Sequence, residues 1–339
     1  MTHLIEINNL HVEFQLREGL VRAVNGVSMA IPANRTLGVV GESGCGKSIT
    51  AKAMMQILPS RARIANGSIK LAPRDNGQPI EITKLKPDGK AMRRIRGADI
   101  AMIFQEPMTS FSPVHTIGNQ IVESIRLHQG KTKAEAREIA IEMLRLVHVP
   151  MAERRVDAYP HELSGGLRQR CMIAMALACH PRLLVADEPT TALDVTIQAQ
   201  ILNLIERLQR ELDMAVMMIT HDLGVIAETA DEVAVMYLGR IVEHAPMEQI
   251  FEQPMHPYTR GLLASVPRLG SGLRRDLPSI PGSVPDPFSV PDGCPFHPRC
   301  GDCIKGVCDV GAVPRLADVA PGHLAACNLY APCREEAAR

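Results

Sequence analysis

The chain has 339 residues, more than a single hydrophobic core usually serves, so two domains or one domain with an extension are expected. Lys plus Arg and Asp plus Glu each number 37, aromatics make up 3% and Trp is absent, which together argue against a nucleic-acid partner gripped by charge or by stacked bases. No apolar run reaches the roughly 20 residues that span a bilayer, and the N-terminus lacks a signal-peptide pattern, so a cytosolic chain is expected that does any membrane work through partners.

Residues 4–32 alternate apolar and polar positions (Ile5, Ile7; Val12, Phe14; Val24, Val27, Met29, Ile31), which predicts antiparallel strands about a Glu18-Gly19 turn. Thr36–Val40 reads as a short buried strand and Ile49–Leu58 as a helix. Between them the run Gly41, Glu42, Ser43, Gly44, Cys45, Gly46, Lys47, Ser48 fits the spacing G-x-x-x-x-G-K-[ST] of a phosphate-binding loop. Glycines let the backbone wrap a phosphate closely, and the N–H groups of the loop and of the helix start, through Ile49, supply positive partial charge. Lys47 would reach the outer phosphates, and the Ser48 hydroxyl would hold Mg²⁺. Cys45 reads as a small space-filler facing away from the phosphate.

Gly67–Asp99 is rich in Gly, Pro and Lys and reads as a hairpin and surface insertion leading into a strand at Ile100–Phe104. Thr132–Val147 carries apolar residues at helical spacing (Ala136, Ile139, Ile141, Leu144, Leu146), which predicts an exposed amphipathic helix. Leu163–Arg170 opens a long apolar helix through Ala178. At its start Ser164, Gly165 and Gly166 offer a hydroxyl, free N–H groups and the positive end of the dipole, either a plain Ser cap or a second anion site. Cys171 and Cys179 on this helix read as core. Leu183–Ala186 and Ala215–Ile219 are apolar runs flanked by helices, as parallel strands buried on both faces are. The first ends in two acids: Asp187, placed for a Mg²⁺ shell, and Glu188, placed to polarise a water attacking a γ-phosphate. Alternating strand and helix predict an α/β nucleotide-binding layer fold. From about Leu269 the texture changes to Pro278, Pro281, Pro285, Pro287 and Pro291, then to six of the nine cysteines. A Pro-rich connector continues neither a helix nor a central strand, so a small loop-rich C-terminal region is expected.

The phosphate loop, Gln105, Ser164-Gly165-Gly166, Asp187-Glu188, Ala192-Leu193-Asp194 and Thr220-His221-Asp222 stand in the order and approximate spacing of the ATP-binding cassette (ABC) ATPases, which the chain resembles over about residues 4–265. The resemblance implies a P-loop NTPase with a RecA-like core, an antiparallel β subdomain and a helical signature subdomain at about 106–180, within a nucleotide-binding domain over 1–265. It implies that two such chains pack head to tail, each ATP lying between one chain's phosphate loop and the other's Ser164-Gly165-Gly166 helix. In that arrangement Gln105 senses the γ-phosphate, joins the Mg²⁺ site and contacts a transmembrane partner. His221 stabilises the γ-phosphate and the attacking water, and Asp194 couples the two sites. Phe14 is either the aromatic that stacks on adenine or part of the core.

Gln105–Pro113 and Met255–Leu263, the latter with a His-Pro-Tyr-Thr segment, are similar to the dipeptide/oligopeptide/nickel importer subfamily, although Phe111-Ser112-Pro113 departs from its usual Leu-Asn-Pro. This resemblance implies ATP-driven import of di- or oligopeptides at the cytoplasmic face of the inner membrane, with nickel as an alternative cargo and a non-transport ABC ATPase as a rival reading. The implied partners are a second ATPase subunit, paralogue or copy, two transmembrane permease subunits and an extracytoplasmic peptide-binding protein. Residues 266–339 would form the C-terminal extension of that subfamily. There Cys294, Cys300, Cys308 and Cys327 resemble a four-cysteine pattern that can hold a [4Fe–4S] cluster, while Cys300-x₂-Cys303 leaves Zn²⁺ open and free thiols remain a third reading, with Cys303 and Cys333 as spares.

Overall fold

The computed structural model describes residues 3–75, 77–105, 110–191, 194–266 and 279–330. A four-stranded antiparallel sheet runs in the order β2-β1-β4-β5, built from β1 (His3–Gln15), β2 (Leu20–Pro32), β4 (Ala62–Leu71) and β5 (Ile80–Glu81). The alternation foreseen for residues 4–32 is the buried face of this sheet, where Ile5, Ile7, Leu10, Val12, Val24 and Val27 are all buried. Glu6 pairs with Ala30 on one side and with Lys70 on the other.

The second sheet has eight strands in the order β11-β12-β10-β9-β3-β8-β7-β6. Its strands are β3 (Thr36–Val40), β6 (Ile100–Ile103), β7 (Leu183–Asp187), β8 (Ala215–Ile219), β9 (Glu232–Tyr237), β10 (Arg240–Pro246), β11 (Ala317–Ala320) and β12 (His323–Ala325). From β6 to β9 the neighbours are parallel; β10, β12 and β11 extend the edge in antiparallel fashion. Every residue of β3, β6, β7 and β8 is buried, as the apolar runs require when helices and the second sheet cover both faces. One core lies between the two sheets; the other joins the far face of the parallel strands to the helices Ile117–Gln129, Lys133–Leu146, Gly165–Leu177 and Val195–Glu211. The second of these helices is the amphipathic one read from sequence, and a Thr132/Glu135 capping box closes its N-terminus. Among the described residues no helix is long and apolar enough to cross a membrane.

Two segments differ from the sequence reading. The stretch taken as a surface insertion contains a helix, Lys90–Ala98, anchored by buried Met92 and Ile95; its Lys and Arg residues hide a two-residue apolar stripe. Within the C-terminal extension β12 pairs with β10, Glu243 opposite Ala325, so this part of the chain enlarges the main sheet. Ala192, Leu193, Glu106–Thr109, Leu269, Pro278 and Cys333 lie outside the described residues.

Buried His256 gives the fold an acid limit. Burial, helped by the Arg260 charge, pushes its pKa from 6.5 down to about 3, and its Nδ1 accepts the Tyr258 N–H at 3.1 Å, which requires the neutral ring. The unfolded chain binds this proton below about pH 6.5 while the folded chain does not. The contribution is therefore complete above that pH and is lost as pH falls toward 3; urea midpoints measured from pH 7 to 5 are expected to decline, and His256→Asn is expected to flatten the decline.

Candidate active site

The phosphate loop leaves the carboxyl end of β3, between β8 and β9, and Gln105, Asp187, Glu188 and His221 follow or end the neighbouring strands β6, β7 and β8. This is the edge where an open parallel sheet binds ligands. Two glycines shape the loop: Gly41 (φ +149°) and Gly46 (φ +103°) adopt conformations that L side chains rarely take, and a Cβ would strike the Met236 carbonyl at Gly41 and the Ala23 carbonyl at Gly46. Gly46 then starts the helix Lys47–Met54, so its first N–H groups face the loop. Lys47 is buried, and its Nζ donates to the carbonyls of Gly41 (2.7 Å) and Glu42 (3.1 Å). Cys45 is buried with its Sγ 3.7 Å from Lys47 Nζ, and burial raises its thiol pKa. A cleft of about 160 Å³ is lined by the Ser43–Ile49 run with Ala23, Gln105 and Glu188. A larger cavity, about 390 Å³, lies between Leu71–Ile80 and the Lys90–Ala98 helix and contains none of the motif residues.

At the cleft floor the Ser48 hydroxyl donates to Asp187 Oδ1 at 2.8 Å. Burial raises the Asp187 pKa, and the Ser48 hydrogen bond opposes that rise. A hydroxyl and a carboxylate side by side beneath a phosphate cradle are hard oxygen donors of the kind Mg²⁺ takes, so the residues fit that ion. Next to them the Glu188 carboxylate gathers three partners. Gln105 Nε2 donates to Oε2 at 2.8 Å, Thr191 Oγ1 donates to the same oxygen at 2.9 Å, and His221 Nδ1 lies 3.2 Å from Oε1. Burial pushes the Glu188 pKa up, but the bonds from His221 and Thr191, with the nearby charges of His221 and Lys47, outweigh it and leave it below the ordinary value. Its backbone is left-handed (φ +50°), uncommon outside glycine, which turns the side chain at the strand end. Thr191 was missed in the sequence, where the second of two adjacent threonines, three positions after an acid, carries no distinct signal.

A protein-family model described as ABC transporter matches residues 24–191, and one described as oligopeptide/dipeptide transporter, C-terminal region, matches residues 242–308. The oligopeptide transport ATP-binding protein OppD of Salmonella typhimurium is 48% identical over 324 residues, covering 96% of this chain and 93% of that protein. The chain belongs to the ABC transporter ATP-binding proteins. The dipeptide transport ATP-binding protein DppD of Bacillus subtilis is 49% identical over 310 residues, covering 91% of this chain and 90% of that protein. A dimeric ATP-binding cassette, MJ0796, solved in a post-hydrolysis state with ADP and Pi, superposes with a TM-score of 0.62 at 26% identity, covering 72% of this chain and 98% of that one. The chain is thus an ABC ATPase, and the two-sheet architecture with its helical region is the cassette fold.

Not every motif residue of this ABC ATPase meets in one cleft. Ser164 caps the Gly165–Leu177 helix, its Oγ accepting the Leu167 N–H at 3.4 Å, and Ser164 and Gly165 are exposed. Asp194 caps the Val195–Glu211 helix by accepting the Ile197 N–H at 2.9 Å. Ser164, Gly165, Gly166 and Asp194 do not line the phosphate cleft of their own chain. The signature helix is nevertheless tied to the catalytic loop, because buried Gln169 donates from Nε2 to the Pro189 carbonyl. Phe14 is half-buried on β1, opposite Val21 and Ala62, and belongs to neither core.

Cys294, Cys300, Cys308 and Cys327 do converge, lining one narrow cavity with Phe296 and His297. Burial raises the thiol pKa of Cys294 and Cys300 and pushes that of Cys327 up to about 11. The cavity measures about 10 Å³, room for little more than one water. Among the described residues no group of three or more His, Cys, Asp or Glu is placed to hold a metal ion. The thiols suit a soft metal, but their placement does not fit the expected cluster.

Proposed function

We propose that this ABC ATPase is the ATP-hydrolysing subunit of an importer for di- or oligopeptides, working at the cytoplasmic face of the inner membrane. The observation that carries the cargo is the 242–308 match to the oligopeptide/dipeptide transporter C-terminal region, joined to relatives named for oligopeptide and dipeptide transport over nine-tenths of their length. In this reading residues 1–265 form the nucleotide-binding domain and 266–339 the extension. Within the Gly41–Ser48 loop, backbone N–H groups from Ser43 onward and that of Ile49 hold the phosphates with Lys47, while the Glu42 N–H is taken by the Tyr258 hydroxyl. Ser48, Asp187 and Gln105 hold Mg²⁺, which when bound neutralises charge on the phosphates. Glu188 takes the proton of the attacking water, and Gln105 and His221 fix that carboxylate and contact the γ-phosphate. Ser164 and Gly165, exposed at a helix start, and half-buried Gly166, all outside the chain's own cleft, serve the nucleotide of a second ATPase subunit, with Asp194 at the same junction and Phe14 against adenine. Two permease subunits and an extracytoplasmic peptide-binding protein complete the assembly.

The complex purified from native membranes and reconstituted in vesicles tests the cargo. ATP hydrolysis is expected to rise when the binding protein carries a peptide of two to five residues. Stimulation by nickel and not by peptide would overturn the assignment. A [4Fe–4S] cluster on Cys294, Cys300, Cys308 and Cys327 rests on their convergence alone and needs the cavity to open. Iron with acid-labile sulfide in anaerobically purified protein would establish it; neither metal nor sulfide would leave free thiols.

A further inference from the structure

Glu42, the second residue of the phosphate loop, is held at both its side chain and its backbone by the far end of the chain. Its carboxylate accepts both arms of the Arg299 guanidinium, at 2.7 and 3.0 Å across a sequence separation of 257. Its backbone N–H donates to the Tyr258 hydroxyl at 2.8 Å. Neither partner is a loose surface group. The Arg299 side chain is 4% exposed, and its Nε donates to the Pro281 carbonyl at 3.0 Å. Tyr258 is fully buried, with its ring 4.7 Å from that of Tyr237, at the end of β9, and 5.4 Å from that of Phe296. A planar bidentate pair fixes orientation as well as distance, which a lysine in place of Arg299 would not do.

The grip reaches phosphate-binding groups through Glu42 itself, because its carbonyl accepts a hydrogen bond from Lys47 Nζ at 3.1 Å. On the other side it reaches the cysteine-lined cavity. Arg299 precedes Cys300, Tyr258 follows Pro257, and Phe296 packs on Tyr258; Cys300, Pro257 and Phe296 all line that cavity. The Cys294–Cys300 stretch is itself braced, with the Cys294 N–H donating to the Cys308 carbonyl at 2.8 Å.

We propose that Arg299 and Tyr258 are positioning residues that set the phosphate loop through Glu42, and so make nucleotide binding and the conformation of the 293–300 segment depend on each other. This deepens the ATPase reading and rests on it. The coupling is reciprocal: what the extension contributes to nucleotide affinity, bound nucleotide returns to the extension as added order.

The test uses the full-length chain, with MgATP affinity measured by calorimetry and amide hydrogen exchange followed over residues 293–300. Arg299→Gln and Glu42→Gln are each expected to weaken MgATP binding about tenfold, and the double variant no more than either alone, since both remove one interaction. MgATP is expected to slow exchange over 293–300 in the wild type and to leave it unchanged in Arg299→Gln. Tyr258→Phe, which keeps the ring and removes only the hydroxyl, is expected to weaken binding about threefold and guards against a folding defect in the arginine variant. Arg299→Lys restores charge without the fork and is expected to recover only part of the loss. Wild-type affinity in Arg299→Gln and Tyr258→Phe with only a lower melting temperature, or exchange over 293–300 indifferent to MgATP in the wild type, would overturn the proposal. A wild-type chain that binds no MgATP would instead defeat the ATPase reading beneath it.

Discussion

Replacing Glu188 with Gln is expected to lower steady-state ATP hydrolysis by about 10²–10³-fold, within the range a positioned base contributes, while ATP still binds with near wild-type affinity. The carboxylate is already oriented, with Gln105 and Thr191 donating to Oε2 and His221 beside Oε1. The bonds from His221 and Thr191, with the charges of His221 and Lys47, hold its pKa below the ordinary value despite burial, so at neutral pH it is ionised and able to accept a proton. Glutamine keeps the volume and one accepting oxygen but cannot take that proton. The phosphate cradle, Lys47 and the Ser48–Asp187 pair are untouched by the change. Hydrolysis by the assembled complex and nucleotide affinity, measured side by side, check the prediction; unimpaired turnover would remove Glu188 from the chemistry.

That site was legible because its parts sit at strand ends that announce themselves. The apolar runs of β3, β7 and β8 have no alternation, so each had to be a buried parallel strand, and whatever followed its carboxyl end had to share an edge. Glu188 could be put at such an edge from its strand, whereas Gln105 and His221 were joined to it only through the resemblance to the ABC ATPases; both donate to or lie beside its carboxylate. Ser164, Gly165, Gly166 and Asp194 were set against the nucleotide of a second chain by the resemblance alone, and they do not line the cleft of their own chain. What stayed hidden was long-range. Tyr258 stood in a recognisable segment with no role to give it, and nothing local to Arg299 points to a loop 257 positions earlier. The hairpin of β11 and β12 was equally silent: four and three residues with scant apolar pattern become strands only because β10 offers a free edge. The four cysteines, singled out by their resemblance to a cluster-binding pattern, line one cavity, while among the described residues no group is placed to hold a metal ion.

The largest stability loss is expected at Glu243, through which the extension is fastened to that edge. Glu243 is fully buried on β10 and its carboxylate accepts three hydrogen bonds: from the Met255 N–H at 2.6 Å, from the His256 N–H at 2.9 Å and, on the adjoining strand β12, from His323 Nε2 at 2.7 Å. Glu243→Ala removes the acceptor and strands all three donors where water does not reach. Truncating one side of a buried, hydrogen-bonded charge costs about 3–5 kcal/mol, a large share of the roughly 5–15 kcal/mol that holds a domain folded. Urea unfolding is expected to show a loss of this size. His323→Ala should cost less, because Glu243 keeps its two backbone donors. A loss below about 1 kcal/mol at Glu243 would mean that water or a shifted chain replaces those bonds. The position also bears on nucleotide binding, because the backbone that Glu243 holds at His256 leads within two residues to Tyr258 and thence to Glu42. Where Glu243→Ala still folds at low temperature, weakened MgATP binding should accompany its instability, whereas an equally destabilising cavity in the Lys133–Leu146 helix, such as Leu144→Ala, should leave the folded fraction binding normally.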